Sequence, residues 1–121
     1  GIAQWGGVQM LEILKLCKPT KDAKYVVFHC HDKDDKGLYY YTSLRLSDMY
    51  DKQTMLAYEM NYETLPIKYG APLRMRCERR LGFKMAKYLK SIEFVKDFKH
   101  IGKGKGGYRE DGVFFDWEAS I

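Results

Sequence analysis

Three features of the sequence predict an α+β fold in which strands dominate a mixed sheet, with short helices between them. First, five runs are β-branched, aromatic or alternating: Tyr25–Phe28, Leu38–Thr42, Met55–Met60, Leu73–Cys77 and Tyr88–Val95. Second, only residues 8–17 space their apolar side chains as a helix does. Third, Leu65-Pro66 and Ala71-Pro72 exclude helix after the third run, because proline lacks an N–H and fixes φ. At 121 residues the chain is expected to form one domain, 1–121, and 45% apolar or aromatic content is enough for a core. No apolar run approaches the ~18 residues of a membrane-spanning helix.

In chain order, Trp5 beside Gly6-Gly7 reads as a core anchor at a turn. Val8, Leu11 and Leu14 predict a short helix on a sheet, ended by Pro19. Tyr25–Phe28 reads as a buried strand that continues into His29-Cys30-His31-Asp32. Alternation puts His29 and His31 on one face and Cys30 on the other, so a partly exposed strand end is preferred to a metal site. Asp32 to Gly37 echoes a calcium loop but lacks the bidentate glutamate, and is read as a hairpin turn. Leu38–Thr42 returns as a strand whose tyrosines form a sheet face with wet hydroxyl tips.

Ser47 is placed as the cap of a helical turn through Tyr50. After Met55–Met60, Asn61-Tyr62 makes a tight turn, with Tyr62 where glycine is easier. Arg74 and Arg76 fall on one face of the Leu73–Cys77 strand. Glu78-Arg79-Arg80 reads as a solvated turn, and Lys84 and Lys87 are expected on one helical turn. Gly102–Gly107 is a basic loop without the GK[ST] ending of a phosphate-binding P-loop. The aromatic end, Val113-Phe114-Phe115 and Trp117, is expected to dock back on the domain.

A net charge of +5 favours an anionic partner: nucleic acid, acidic lipid or a phosphorylated cofactor. Composition alone equally allows a merely soluble basic surface. No nucleic-acid motif is present, so no nucleic-acid partner is expected. Cys17, Cys30 and Cys77 form no CxxC pair and no disulfide framework, and read as reduced, mostly buried thiols. No export leader is visible, and Gly1 to Trp5 reads like the middle of a domain, so natural sequence is expected upstream.

The stretch Tyr58–Lys87 carries the most pointed chemistry. A Gly70-Ala71-Pro72 corner leads into the strand that carries Arg74, the chain closes on the cluster Gly82 to Lys87, and Arg74 and Lys87 flank a tight glycine-bearing loop. A guanidinium offers a rigid fork of donors, an ammonium a point charge, and glycine lets backbone approach closely, which together suit a phosphate or another flat anion.

The same stretch resembles the molybdopterin-binding domain of the sulfite oxidase family of oxidoreductases. The matching pieces are Leu56 to Asn61, Leu65-Pro66, Tyr69 to Arg74, and Gly82-Phe83-Lys84 with Lys87. Trp5 to Val8 stands ahead of them and Ser91 to Val95 behind, so the resemblance covers most of residues 3–95. It implies a sulfite-oxidase-like α+β domain and a molybdenum cofactor, in which one pterin dithiolene and one protein cysteine hold the metal and oxygen atoms are transferred. It further implies that Arg74 pairs with the pterin phosphate, that Lys87 contacts the phosphate or the ring, and that the backbone at Lys84 and Met85 adds donors. Asp32 would face the pterin amino group, while Trp5 and Tyr108 would line the pocket by the metal.

The chain departs from the family pattern in three places that matter. Met85 stands where serine is usual, Tyr69 where histidine is usual, and the cysteine-ligand segment expected ahead of the Trp5 motif is not in this chain. A small oxygen-atom donor or acceptor and a separate electron-transfer partner are the implied partners. The alternative is a non-catalytic module binding a phosphorylated ligand or a partner protein.

Overall fold

A computed structural model describes residues 3–78 and 84–112. In order they form β1 (Trp5–Gln9), α1 (Met10–Cys17), β2 (Tyr25–Lys33), β3 (Tyr39–Arg45), a 3-10 turn (Leu46–Tyr50), β4 (Met55–Met60) and β5 (Glu63–Thr64). A 3-10 turn (Ile67–Tyr69), β6 (Arg74–Arg76), β7 (Leu89–Val95) and α2 (Tyr108–Asp111) follow. One sheet runs β1-β4-β5 with β6 also on β4, and the other runs β3-β2-β7. Strands dominate a fold with short helices, as the α+β class requires. The described pairings are all antiparallel, however, not mixed.

Both sheets and α1 share one core, in which Met10, Phe28, Leu44, Met49, Leu56 and Met75 are sealed from solvent. The second sheet is covered on its other face too, where Val27, Tyr41 and Val95 pack with Phe98, Ile101 and Tyr108. That double burial explains why β2 opens with the unbroken apolar run Tyr25–Phe28 and does not alternate with polar residues.

Several local expectations change. Val8 belongs to β1, and the helix starts only at Met10, whose face is Met10 and Leu14 at i and i+4. Trp5-Gly6-Gly7 is therefore strand, with a register shift between Gly6 and Gly7, and not a turn. Ser47 is no cap: Arg45 holds that position and makes no side-chain bond to the turn. Lys84 and Lys87 do not share a helical turn; their segment runs past β6 in irregular backbone, with the Met75 N–H on the Ala86 carbonyl at 2.7 Å. β7 begins at Leu89, one residue after Tyr88, whose φ of 53° breaks the extended run.

The turns follow their chemistry. Asp34 closes the β2–β3 hairpin by accepting the N–H groups of Lys36 and Leu38, each at 2.9 Å. Asn61 and Tyr62 have φ of 53° and 67°, the primed-turn geometry that matches strand twist. Tyr62 holds it with an 85% exposed side chain. The aromatic end from residue 113 and the Gly82-Phe83 piece lie outside the described residues.

Candidate functional site: a cation cradle at the Gly70 corner

The site begins with the row Gly7, Ala57 and Arg74 across β1, β4 and β6. Alternation sends Leu56 and Met75 into the core and leaves Ala57, Arg74 and Arg76 on the opposite face. Gly7 and Ala57 carry almost no side chain, and the Trp5 ring at the start of β1 meets the two arginines. The Arg74 and Arg76 Cζ atoms lie 4.9 and 4.6 Å from its centroid. Stacking of guanidinium on indole is favourable and strengthens as water is excluded.

Arg74 is only 6% exposed, yet among the described residues no carboxylate comes within 4 Å of it. Its one hydrogen bond there runs from Nη1 to the Tyr69 carbonyl at 3.2 Å, and its Nε is buried without a partner. Burial first, and the neighbouring Arg76 second, lower its pKa from the ordinary value. Arg76 is better served: Nη2 donates to Glu78 at 2.6 Å and Nη1 to the Met85 sulfur at 3.4 Å, although its Nε also lacks a partner.

Gly70 closes the cradle. Its φ is 118°, which side chains rarely adopt, and a Cβ there would sit 3.0 Å from the Arg74 Cβ and 3.1 Å from the Lys87 Cβ. Arg74 and Lys87 therefore flank Gly70 as closely as their packing permits. The corner is fixed by the Tyr88 N–H on the Gly70 carbonyl at 3.0 Å and the Leu89 N–H on the Leu73 carbonyl at 2.9 Å. The Ala71-Pro72 peptide within it is cis. Beside it lies a cavity of about 300 Å³ lined by His31, Asp32, Ala71, Pro72 and Tyr88.

Six candidates from sequence thus gather here or next door. Trp5, Arg74 and Lys87 form the cradle, Met85 packs under Arg76, and Asp32 lines the adjoining cavity. Tyr69 contributes its carbonyl, while its ring meets the Lys68 ammonium at 4.9 Å. Two candidates lie elsewhere. Lys84 is fully buried and ion-paired to Glu110. Tyr108 lines a second cavity of about 590 Å³ with His29, Tyr39, Tyr41 and Asp111. Its hydroxyl donates to Asp34 at 2.9 Å, which raises the tyrosine pKa and, after the Leu38 N–H, helps lower that of Asp34.

Sequence reasoning missed Arg76 as a site residue, although the alternation that pairs it with Arg74 was visible. It had no signal for Glu110, because the Lys84 contact spans 26 residues. Cys30 and Cys77 are buried in the core and Cys17 is exposed at the end of α1.

Comparison with known proteins fits this geometry. A family model described as "Oxidoreductase molybdopterin binding domain" matches residues 1–100. A protein of Azospira oryzae, named as protein-methionine-sulfoxide reductase subunit YedZ1, is 34% identical over 110 residues, covering 91% of this chain and 37% of its own length. The sulfite oxidase of Arabidopsis thaliana is 33% identical over 108 residues, covering 80% and 28%. The chain thus spans 37% of the length of the first relative and 28% of the second. The crystal structure of sulfane dehydrogenase SoxCD from Paracoccus pantotrophus shares the fold, with a TM-score of 0.67 at 19% identity over 78% of this chain and 23% of that one. The chain belongs to the oxidoreductase molybdopterin-binding domain family.

Proposed function

We propose that the Gly70 corner grips the anionic end of the molybdopterin cofactor expected of this family, within a protein that transfers oxygen atoms. The observation that carries this is Arg74: a nearly buried guanidinium with no carboxylate partner among the described residues, held beside Gly70 and Lys87. A buried charge without a counter-charge is costly, and a phosphate is the group that would offset it. The residues present fit such a group. Arg74 and Arg76 each keep an unpartnered Nε, and the bare Gly70 backbone lets the Arg74 and Lys87 stems lie close on either side of it.

In this reading Arg74 supplies the fork, Lys87 the point charge, and Arg76 a further positive field on the same face. Trp5 holds both guanidiniums in register by stacking and keeps water from their faces. Asp32, across the adjoining cavity, offers a carboxylate to N–H donors of the pterin. The cofactor, when bound, supplies two-electron oxygen-atom transfer. None of the three cysteines stands in the cradle, so this chain's part is to bind and orient.

The substrate is read as a small oxygen-atom donor or acceptor, of the kind named by the sulfite oxidase and sulfoxide reductase relatives, and electrons pass to or from a separate partner. The test is molybdenum and pterin content of the full-length protein that contains this chain. Arg74→Gln and Lys87→Met are each expected to lower both at least about tenfold, the scale on which loss of a charge-assisted bond acts. Unchanged content in both variants would overturn the assignment.

A further inference from the structure

We propose that the buried Lys84–Glu110 ion pair is a positioning element for the cradle, fixing the segment 84–88 so that Lys87 stands against Gly70. The inference rests on the reading of the Gly70 corner as an anion site. The pair joins two pieces distant in sequence, with side chains 0% and 3% exposed. Glu110 is a fixed post. Its short helix α2 is tied to β3, where Thr42 bridges Gly107, the Ser43 hydroxyl donates to the Gly106 carbonyl at 2.6 Å, and the Tyr41 hydroxyl donates to Asp111. Gly107 makes room, since any side chain there would run into the Glu110 carboxylate.

At the other end the segment is tied to the cradle. Ala86 and Tyr88 bond to Met75 and Gly70 through backbone, and the Met85 sulfur accepts from Arg76. Lys84 is therefore the anchor at the head of a five-residue span that carries Lys87 near its far end. Of the two lysines, one is turned inward to a carboxylate. The other has no carboxylate within 4 Å among the described residues.

A buried ion pair is a weak source of stability compared with apolar residues of similar volume, but it can specify one arrangement over its neighbours. Here the arrangement specified is the direction in which the Lys87 side chain leaves the chain. Lys84 is accordingly a positioning residue and not a ligand of the anion.

The test uses the 121-residue chain and inorganic phosphate as probe, with affinity read by titration calorimetry and stability by thermal melting. Lys84→Met and Glu110→Gln each leave one buried charge or dipole without its partner, and both should melt lower. The double variant removes both charges, so net charge is unchanged and no lone buried ion remains. It should recover most of the melting temperature yet bind phosphate roughly tenfold more weakly, the scale on which supporting partners of a binding group act. Glu110→Asp, which keeps the charge and shortens the reach by one carbon, should fold and also bind more weakly. Wild-type phosphate affinity in the double variant or in Glu110→Asp would overturn the proposal. Lys87→Met and Arg74→Gln serve as reference: if they bind phosphate as the wild type does, the cradle itself is wrong and this inference falls with it.

Discussion

Lys84 and Arg74 are both cations buried in the same small domain, and they are treated in opposite ways. Lys84 meets a carboxylate equally hidden from water. Arg74, at 6% exposure, meets a tryptophan face, a second arginine and one backbone carbonyl. The first arrangement sets charge against charge, although the Glu110 Oε1 atom is buried without a hydrogen-bond partner. The second leaves a nearly buried guanidinium with no carboxylate in contact among the described residues, Glu78 acting on it only from a distance, and burying a charge that way is costly. In the proposed reading the difference separates a structural cation from a binding one, although both sit in matching pieces of the family pattern and look alike in sequence.

The comparison breaks most visibly under isosteric removal of charge. Lys84→Met strands Glu110 in the core and should cost about 3–5 kcal/mol in denaturant unfolding. Arg74→Met strands no carboxylate among the described residues, so its stability should be equal or higher while phosphate binding is lost. Comparable destabilisation in both variants would erase the distinction. Next in size, Gly70→Ala forces a Cβ into a backbone of φ 118° between Arg74 and Lys87. It should cost about 1–3 kcal/mol and weaken phosphate binding together, and a neutral effect on both would show that the corner is not tight.

A smaller effect is expected on the acid side. The Asp34 pKa is lowered, first by the Leu38 N–H and then by the Tyr108 hydroxyl. A carboxylate held below its ordinary value stabilises the fold above that value and loses its contribution as pH falls through the lowered one. The gap in melting temperature between wild type and Asp34→Asn should therefore be present at neutral pH and close below about pH 4. A gap independent of pH would remove the ionised Asp34 from the account of the Tyr108 cavity. The smallest effect is chemical. Burial, with Asp32 nearby, pushes the Cys30 thiol up to about 12, and Cys77 is buried as well. At pH 8 the native chain should take up one alkyl group, on the exposed Cys17, and all three thiols should react only in denaturant.

Much of the fold was legible because its signals are local. Met55–Met60 was read to the residue, and alternation placed Arg74 with Arg76 and Ile92 with Phe94. The helix start was misjudged because Val8 continues the three-residue spacing while its backbone pairs with Leu56 in a strand, a non-local bond that spacing does not reveal. The site was legible in part for the same reason. Arg74, Gly70 and Lys87 sit within 18 positions, and a corner made by glycine and proline brings them together. Lys84 was misassigned to a shared face with Lys87 because its partner, Glu110, arrives from a loop whose path is set by tertiary packing on β3. Tyr108 was expected beside Trp5, but the tail that carries it crosses the outer face of the second sheet and opens a cavity of its own.

The most direct measurement is NMR of the arginine Nε–H groups while inorganic phosphate is added to the chain. The Arg74 and Arg76 signals, from the two buried Nε atoms without partners, should shift downfield together and saturate, while those of Arg45 and Arg109 stay in place. Arginine signals that all drift alike without saturation, or an Arg74 signal that does not move, would contradict the claim that this guanidinium is held in reserve for an anion.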